Sequence, residues 1–251
     1  MSPLSSIAKK PRVEVCFTPR SYELYNEDSD IVVVIDVLRA TSAICTAFQY
    51  GVKKMIPVAT LEEAFEYKKE GYIVAAERKG QIVEGFKIGN SPLVYLNGEY
   101  KGKTIVITTT NGTQAIHVAR KANTVVIGSF LNLDALANWL IEQKRNVLLL
   151  GSGWKETFCL EDTICAGAFV DKLLNSGEYR SEHDSSIAAK FLYLSASENF
   201  FGYLKASSHR RRLKALNLNE DIKFCLTPNQ TNVIPIKQGK YLVKMTVPKK
   251  K

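Results

Sequence analysis

Short unbroken apolar runs alternate along this chain with amphipathic stretches, and polar turns separate them. The clearest run is Ile31 to Ile35, IVVVI, which stops at Asp36. A β-branched run of that length predicts a strand buried on both faces, as in a parallel sheet covered by helices. Thr41 or Ser42 then caps a helix whose inner face is Ala43, Ile44, Ala47 and Phe48, and Gly51 follows its end. Before this unit, Val13, Val15 and Phe17 alternate and predict a first strand at an edge. Ser21 to Asp30 is polar and reads as a loop.

The same rhythm continues downstream. Lys54 to Ala59 is a short strand. Thr60 and Glu63 form a capping box for a helix that stops at Gly71. Tyr72 to Ala76 is a strand, followed again by a carboxylate, Glu77, and then Arg78. Thr104 to Ile107, Thr124 to Ile127 and Asn146 to Leu150 are further strands. Helices follow them, over Ala115 to Ala119, Leu133 to Lys144 and Ile164 to Leu174. Ser181 to Leu204 reads as helical, and Ile222 to Leu226 and Val233 to Val247 read as short strands. Strand and helix alternate throughout, which predicts an α/β fold with a parallel or mixed sheet and helices on both faces. The unit at residues 31–50 is echoed at 146–174, so two similar α/β halves are an expectation. No linker stands out, and residues 1–251 are taken as a single domain.

Composition narrows the setting. With 45% hydrophobic and 24% charged residues the chain matches ordinary globular proteins. No apolar run is long enough for a membrane span, and no apolar segment follows the first lysines as in a secretory signal. Cys16, Cys45, Cys159, Cys165 and Cys225 are scattered without a CxxC pair, which suits free thiols in a reducing cytoplasm and disfavours zinc. The net charge of +9 points to an anionic partner. Part of it lies in His209 to Arg212 and in the tail Lys249 to Lys251. No aromatic-interleaved basic stripe marks a nucleic-acid surface.

Four loops carry chemistry. Asp36, Glu77, Glu161 and Asp162 supply oxygen ligands suited to a hard cation, most simply Mg²⁺. Charge at a helix N-terminus is the bland alternative for Glu161 and Asp162, and an ion pair with Arg39 is the alternative for Asp36. The loop Thr108 to Thr113 offers Thr109, Asn111, Gly112 and Thr113 as an anion cradle, or is simply a turn. It has neither the GxxxxGK nor the GxGxxG spacing. Arg39, Arg78, Arg211 and Arg212 match oxyanions, unless the arginine run is a solvated surface. His209 is a candidate general acid or a structural histidine. Gly89 to Pro92 places Asn90 and Ser91 against a polar substrate group, or forms a turn. His117 and His183 are given no role.

Together these parts describe a site for a small, multiply anionic substrate and Mg²⁺-assisted phosphoryl chemistry. In the working scheme carboxylates hold the ion and Thr109, Asn111 and Thr113 cradle the phosphate. Arg39 stabilises developing charge, and Arg211 or Arg212 holds a sulfonate or carboxylate. The nucleophile is water or Asp36. The segment DVLRAT around Asp36 lacks the DxDx(T/V) signature of aspartyl-phosphate enzymes, which favours water. A phosphate-ligand-binding protein without hydrolysis and a basic nucleic-acid module are the rivals.

Six motifs also carry a resemblance: IDVLRATSA (35–43), EGFKIGNSP (84–92), TTTNGTQA (108–115), IGSFLN (127–132), LEDTICAGAF (160–169) and SSHRRRL (207–213). In order and over nearly the whole chain they resemble the 2-phosphosulfolactate phosphatase, or ComB, family. The resemblance implies Mg²⁺-dependent hydrolysis of 2-phospho-3-sulfolactate to 3-sulfolactate and phosphate, a coenzyme M biosynthesis step in methanogens. It also implies a cytosolic α/β fold peculiar to the family. Two positions depart from its pattern, Arg210 in place of a glycine and Trp154 in place of a small residue. Another small phospho-acid is the alternative substrate. A homodimer is the default assembly.

Overall fold

A computed structural model describes residues 10–25 and 29–245; the tail Lys249 to Lys251 and the opening segment read for a signal lie outside them. Ten strands form one mixed sheet in the order β1-β8-β2-β7-β9-β10-β3-β6-β4-β5. The central strand of the first unit, β2 (Ile31–Ile35), lies parallel between β8 (Val147–Gly151) and β7 (Thr124–Gly128). The edge strand β1 (Val13–Cys16) pairs parallel with β8. A second parallel unit joins β3 (Lys54–Pro57), β6 (Thr104–Thr108) and β4 (Ile73–Arg78), and β5 (Gln81–Ile82) pairs antiparallel at its edge.

All five residues of β2 are fully enclosed because both faces of the strand are covered. Ile31, Val33 and Ile35 face helices α4 (Leu133–Gln143) and α5 (Leu160–Asn175) through Leu136, Leu140 and Phe169. Val32 and Val34 face α1 (Ala40–Gln49) and α3 (Gly112–Val118) through Ile44, Phe48 and Ile116. The unbroken apolar run therefore reports two-sided burial, as its pattern predicts.

A hairpin, β9 (Pro235–Gln238) and β10 (Tyr241–Lys244), joins the two units. It meets β7 at Val126↔Ile236 and β3 at Leu242↔Met55, both antiparallel. The two parallel units thus run in opposite senses along the ladder. Strand twist, roughly 20–25° at each step, accumulates across the five steps from β2 to β6 and turns their carboxyl ends toward each other. The resembling stretches 31–50 and 146–174 are neighbours within the first unit, and neither unit is a contiguous half of the chain.

Local signals explain most boundaries. Thr60 and Glu63 close the expected capping box on α2 (Leu61–Lys69), and Gly51 and Gly71 take positive φ after their helices. Helix α1 begins at Ala40 without a side-chain cap, because Thr41 and Ser42 lie in its first turn and bond back to the Asp36 and Val37 carbonyls at 2.8 Å. The expected helix from Ser181 to Leu204 is two, α6 (Asp184–Ala196) and α7 (Phe200–Tyr203). Ser207 caps α8 (Ser208–Ala215), which carries the arginine run. Ile222 to Leu226, expected as a strand, belongs to α9 (Asn219–Cys225). Acidic Glu220 and Asp221 favour its first turn, and Ile222 and Cys225 are buried at helical spacing. Among the described residues no helix is long and apolar enough to cross a membrane.

Helices α5 and α6 pack closely at Gly167, where an added Cβ would overlap the Ala189 carbonyl and lie 2.9 Å from Tyr193 Cβ. Gly167→Ala should therefore destabilise the fold by about 1–3 kcal/mol, read as a lower denaturant midpoint at unchanged slope.

Candidate active site

The site forms where the carboxyl ends of the two units meet. Asp36 directly follows β2 and is buried. Its backbone N–H donates to Thr41 Oγ1 at 3.0 Å, and Thr41 Oγ1 donates back to its carbonyl, which fixes the turn into α1. Oδ1 accepts the Ala40 N–H at 3.3 Å, and Oδ2 takes no hydrogen bond among the described residues. Gly112, the first residue of α3, lies against this carboxylate: a Cβ there would stand 2.7 Å from Asp36 Oδ2. Burial pushes the Asp36 carboxyl up to about 6 against the pull of His209 and the Ala40 N–H, and the charges of Glu77 and Glu161 push the same way.

The first turn of α5 supplies Glu161 and Asp162. Asp162 accepts the N–H groups of Val37 at 2.9 Å and Gly153 at 3.2 Å, tying the loop after β2 to the loop after β8. Burial, with the nearby charges of Asp36 and Glu161, still raises its pKa well above the usual carboxylate range. Glu161 Oε1 meets His209 Nδ1 at 2.6 Å, and its Oε2 accepts the Ser207 hydroxyl at 3.1 Å. Burial works to raise Glu161, but the His209 hydrogen bond and charge outweigh it and hold the group low. The Cys159 thiol joins them: one ligand atom each of Cys159, Glu161 and His209 lies within 4.8 Å of the others. The sequence argument against zinc assumed dispersed Cys and His ligands, and the fold removes that premise. All five cysteines are free and buried.

The second unit faces this group. Glu77, near the end of β4, accepts the N–H groups of Gly80 and Thr110 and the Thr110 hydroxyl, and lies 3.5 Å from Asn90 Nδ2. It gathers three loops with both oxygens engaged. Thr109 and Thr113 serve each other: each hydroxyl accepts the other's N–H, and Thr113 Oγ1 donates to the Thr109 carbonyl. These two hydroxyls hold the start of α3 rather than facing the cavity. Asn111 Oδ1 accepts the Lys155 N–H at 3.2 Å. Asn90 is buried with its Oδ1 unpartnered among the described residues, while Ser91 Oγ caps the turn at Leu93. Asp36, Glu77, Asn90, Asn111, Trp154 and His209 line one small cavity. A cleft of about 440 Å³, walled by Arg39, Asn90, Ser91 and Leu216, adjoins it through Glu77.

The cations sort by what already binds them. Arg39 pairs with Asp221 at 2.7 Å and donates to the Gly80 carbonyl at 2.9 Å, so its partner is not Asp36. Arg78 donates to the Glu77 carbonyl and to Thr108 Oγ1. Arg210 donates to the Phe201 carbonyl and covers the Phe201 ring, and exposed Arg211 donates to the Ala206 carbonyl. Arg212 stacks over Trp154 at 4.1 Å. Thr110, Cys159, Ser207 and Asp221 escaped the sequence reading. Asp221 lies just before the segment Ile222 to Leu226 that was expected as a strand, and Ser207 opens the SSHRRRL motif.

The arrangement thus joins buried carboxylates, one with an unengaged oxygen, to a carboxylate-bound histidine and an arginine beside an open cleft. Oxygen ligands here suit a hard divalent cation, and the Cys159, Glu161 and His209 set suits a softer one. The sequence pattern of the family described as 2-phosphosulpholactate phosphatase matches residues 16–240. A probable 2-phosphosulfolactate phosphatase of Caldanaerobacter subterraneus subsp. tengcongensis is 40% identical over 231 residues, 88% of this chain and 95% of that protein. One from Thermotoga maritima is 42% identical over 213 residues, covering 84% and 91%. With the motifs of both units inside the matched span, the chain belongs to the 2-phosphosulpholactate phosphatase family.

Proposed function

We propose that this protein is a Mg²⁺-dependent phosphatase that hydrolyses 2-phospho-3-sulfolactate to 3-sulfolactate and phosphate. The observation that carries the reading is Asp36, a buried carboxylate with a free Oδ2 and a raised pKa, held beside His209 where the two units meet. Four buried carboxylates repel one another, and the oxygen donors of Asp36, Glu77, Glu161 and Asp162 fit a hard cation that relieves this. A Mg²⁺ ion there supplies Lewis-acid polarisation of the phosphoryl group. Asp36 Oδ2 orients the attacking water and accepts its proton. The phosphorus–oxygen bond to the substrate breaks, and His209, aligned by Glu161 through Nδ1, protonates the leaving oxygen from its other nitrogen. Arg39 is held by Asp221 at the cleft wall, where its charge faces incoming anions. Buried free thiols support a reducing, cytoplasmic setting, and a coenzyme M-type step belongs to the same reading.

The direct test is phosphate release from racemic 2-phospho-3-sulfolactate with Mg²⁺ and with EDTA, beside phospholactate and an aryl phosphate. Release that needs Mg²⁺ and favours the sulfonated substrate is expected. Release from phospholactate alone would change the substrate, and no release from any would leave a binding protein. His209→Gln should lower kcat about 10²–10⁴-fold. A carboxyl whose folded pKa lies above its unfolded value binds its proton more tightly when folded, so its contribution to stability falls as pH rises. Between the ordinary carboxylate range and about 6, the metal-free protein should lose melting temperature relative to Asp36→Asn. Mg²⁺ should restore the loss above that range and have little effect below it; identical pH profiles for the two proteins would remove Asp36 from this role.

A further inference from the structure

The arginine run leaves a question that the family does not answer: which guanidinium is available to a ligand. Arg39, Arg78, Arg210 and Arg211 each donate to a protein carboxylate, hydroxyl or carbonyl. Arg212 differs. Its Nε and Nη2 are enclosed and meet no acceptor among the described residues. Those two nitrogens form one edge of the planar guanidinium, the side-on fork that grips an oxyanion with two parallel hydrogen bonds. Enclosed donors without an acceptor are costly, and a bound oxyanion would offset that cost.

Trp154 sets where the fork stands. Its ring lies 4.1 Å from Arg212 Cζ and its centroid 5.2 Å from that of His209. His209 and Arg212 are three residues apart on α8, hence neighbours on one face, roughly 5–6 Å between Cβ atoms. One indole therefore covers both the candidate acid and the unpartnered fork. The loop that delivers it is tightly determined. Gly153, Lys155 and Glu156 take φ of +64°, +48° and +61°, and Trp154 and Thr157 exchange backbone hydrogen bonds at 3.0 Å. Two consecutive non-glycine residues at positive φ persist only where surrounding contacts hold them. Asp162 binds the Gly153 N–H and Asn111 the Lys155 N–H, which anchors the loop to both units.

We propose that Trp154 positions Arg212 as the receptor for a second oxyanion, a sulfonate or carboxylate on the carbon next to the phosphate ester, with the helical spacing from His209 to Arg212 as the measure of that separation. This rests on the phosphatase reading and adds the residue pair that selects dianionic substrates. A phosphate group at the cavity of Asp36 and His209 leaves its neighbouring anion one helical turn along α8, over the fork. Trp154 is a positioning residue, and its stacking holds the guanidinium plane.

The test compares four substrates: 2-phospho-3-sulfolactate, phospholactate with its carboxylate alone, O-phospho-isethionate with its sulfonate alone, and phenyl phosphate with neither. Arg212→Lys should lower the kcat/KM ratio of the first substrate over phenyl phosphate about 10- to 100-fold, chiefly through KM. Trp154→Leu should lower it about 3- to 10-fold. The single-anion substrates then tell which oxyanion the fork reads. A second readout needs no turnover. The chain has two tryptophans, so with Trp139→Phe the remaining indole is Trp154. Titration with isethionate, lactate and inorganic phosphate should change its emission saturably for an oxyanion the fork binds, and Arg212→Lys should abolish the change. If no substrate is hydrolysed, this titration still decides the receptor, so the two readings fail separately. Equal losses on all four substrates, or an emission blind to every anion, would overturn the proposal; circular dichroism of each variant guards against misfolding.

Discussion

The site depends on one close approach, that of the Gly112 backbone to the Asp36 carboxylate. It is where two parallel units of opposite sense touch at their carboxyl ends. A Cβ on Gly112 would stand 2.5 Å from Ala40 Cβ as well as 2.7 Å from Asp36 Oδ2, so a side chain there would part the units. With glycine in place, the loop after β6 and the turn after β2 pack against Asp36 and leave it buried at the wall of the cavity. The raised pKa of that carboxyl follows chiefly from this burial. A feature of sheet geometry thus becomes an electrostatic one.

Buried charges are tolerated in proportion to the donors they meet, and here the proportion is uneven. Glu77 receives donors from three loops, Asp162 from two backbone N–H groups, and Glu161 from His209 and Ser207. Asp36 has one donor, at 3.3 Å. Among the cations Arg39 binds Asp221 and the Gly80 carbonyl, whereas Arg212 Nε and Nη2 meet no acceptor among the described residues. The well-satisfied members fix the loops; the poorly satisfied ones keep capacity for a ligand. Unmet hydrogen-bonding capacity thus divides these charged residues where residue type does not.

That sorting was out of reach of the sequence, though much else was legible. The run Ile31 to Ile35 ending in Asp36 announced a two-sided strand with a carboxylate at its end, and the capping box at Thr60 needed only four residues. Local signals of this kind act over one turn and survive folding. The opposed senses of the two units were not legible, because they are decided by a hairpin that begins at Pro235, far along the chain from β7 and β3, the strands it bridges. Thr109 and Thr113 read as a cradle because hydroxyls suit phosphate; each hydroxyl also accepts the other residue's N–H four positions along the chain, a local bonding that composition does not announce. The segment at Ile222 is apolar and short, and periodicity alone does not separate strand from helix at that length. Its acidic lead-in at Glu220 and Asp221 was the discriminating signal.

Arg210 and Trp154, the two positions that the sequence reading set apart, have unlike surroundings. Arg210 is buried on the Phe201 ring and bound to the Phe201 carbonyl, so its length is used to join α7 to α8, away from the cavity. A long side chain is absorbed there because the backbone around it is helical and the guanidinium finds a carbonyl. Trp154 has no such outlet. The turn at Lys155 and Glu156 points it back between His209 and Arg212, and its ring becomes part of the cavity wall. Of the two, Trp154 is therefore the one that bears on what the site accepts. Its effect works through the arginine it stacks on, since an indole face offers nothing to an anion except a well-held cation beside it.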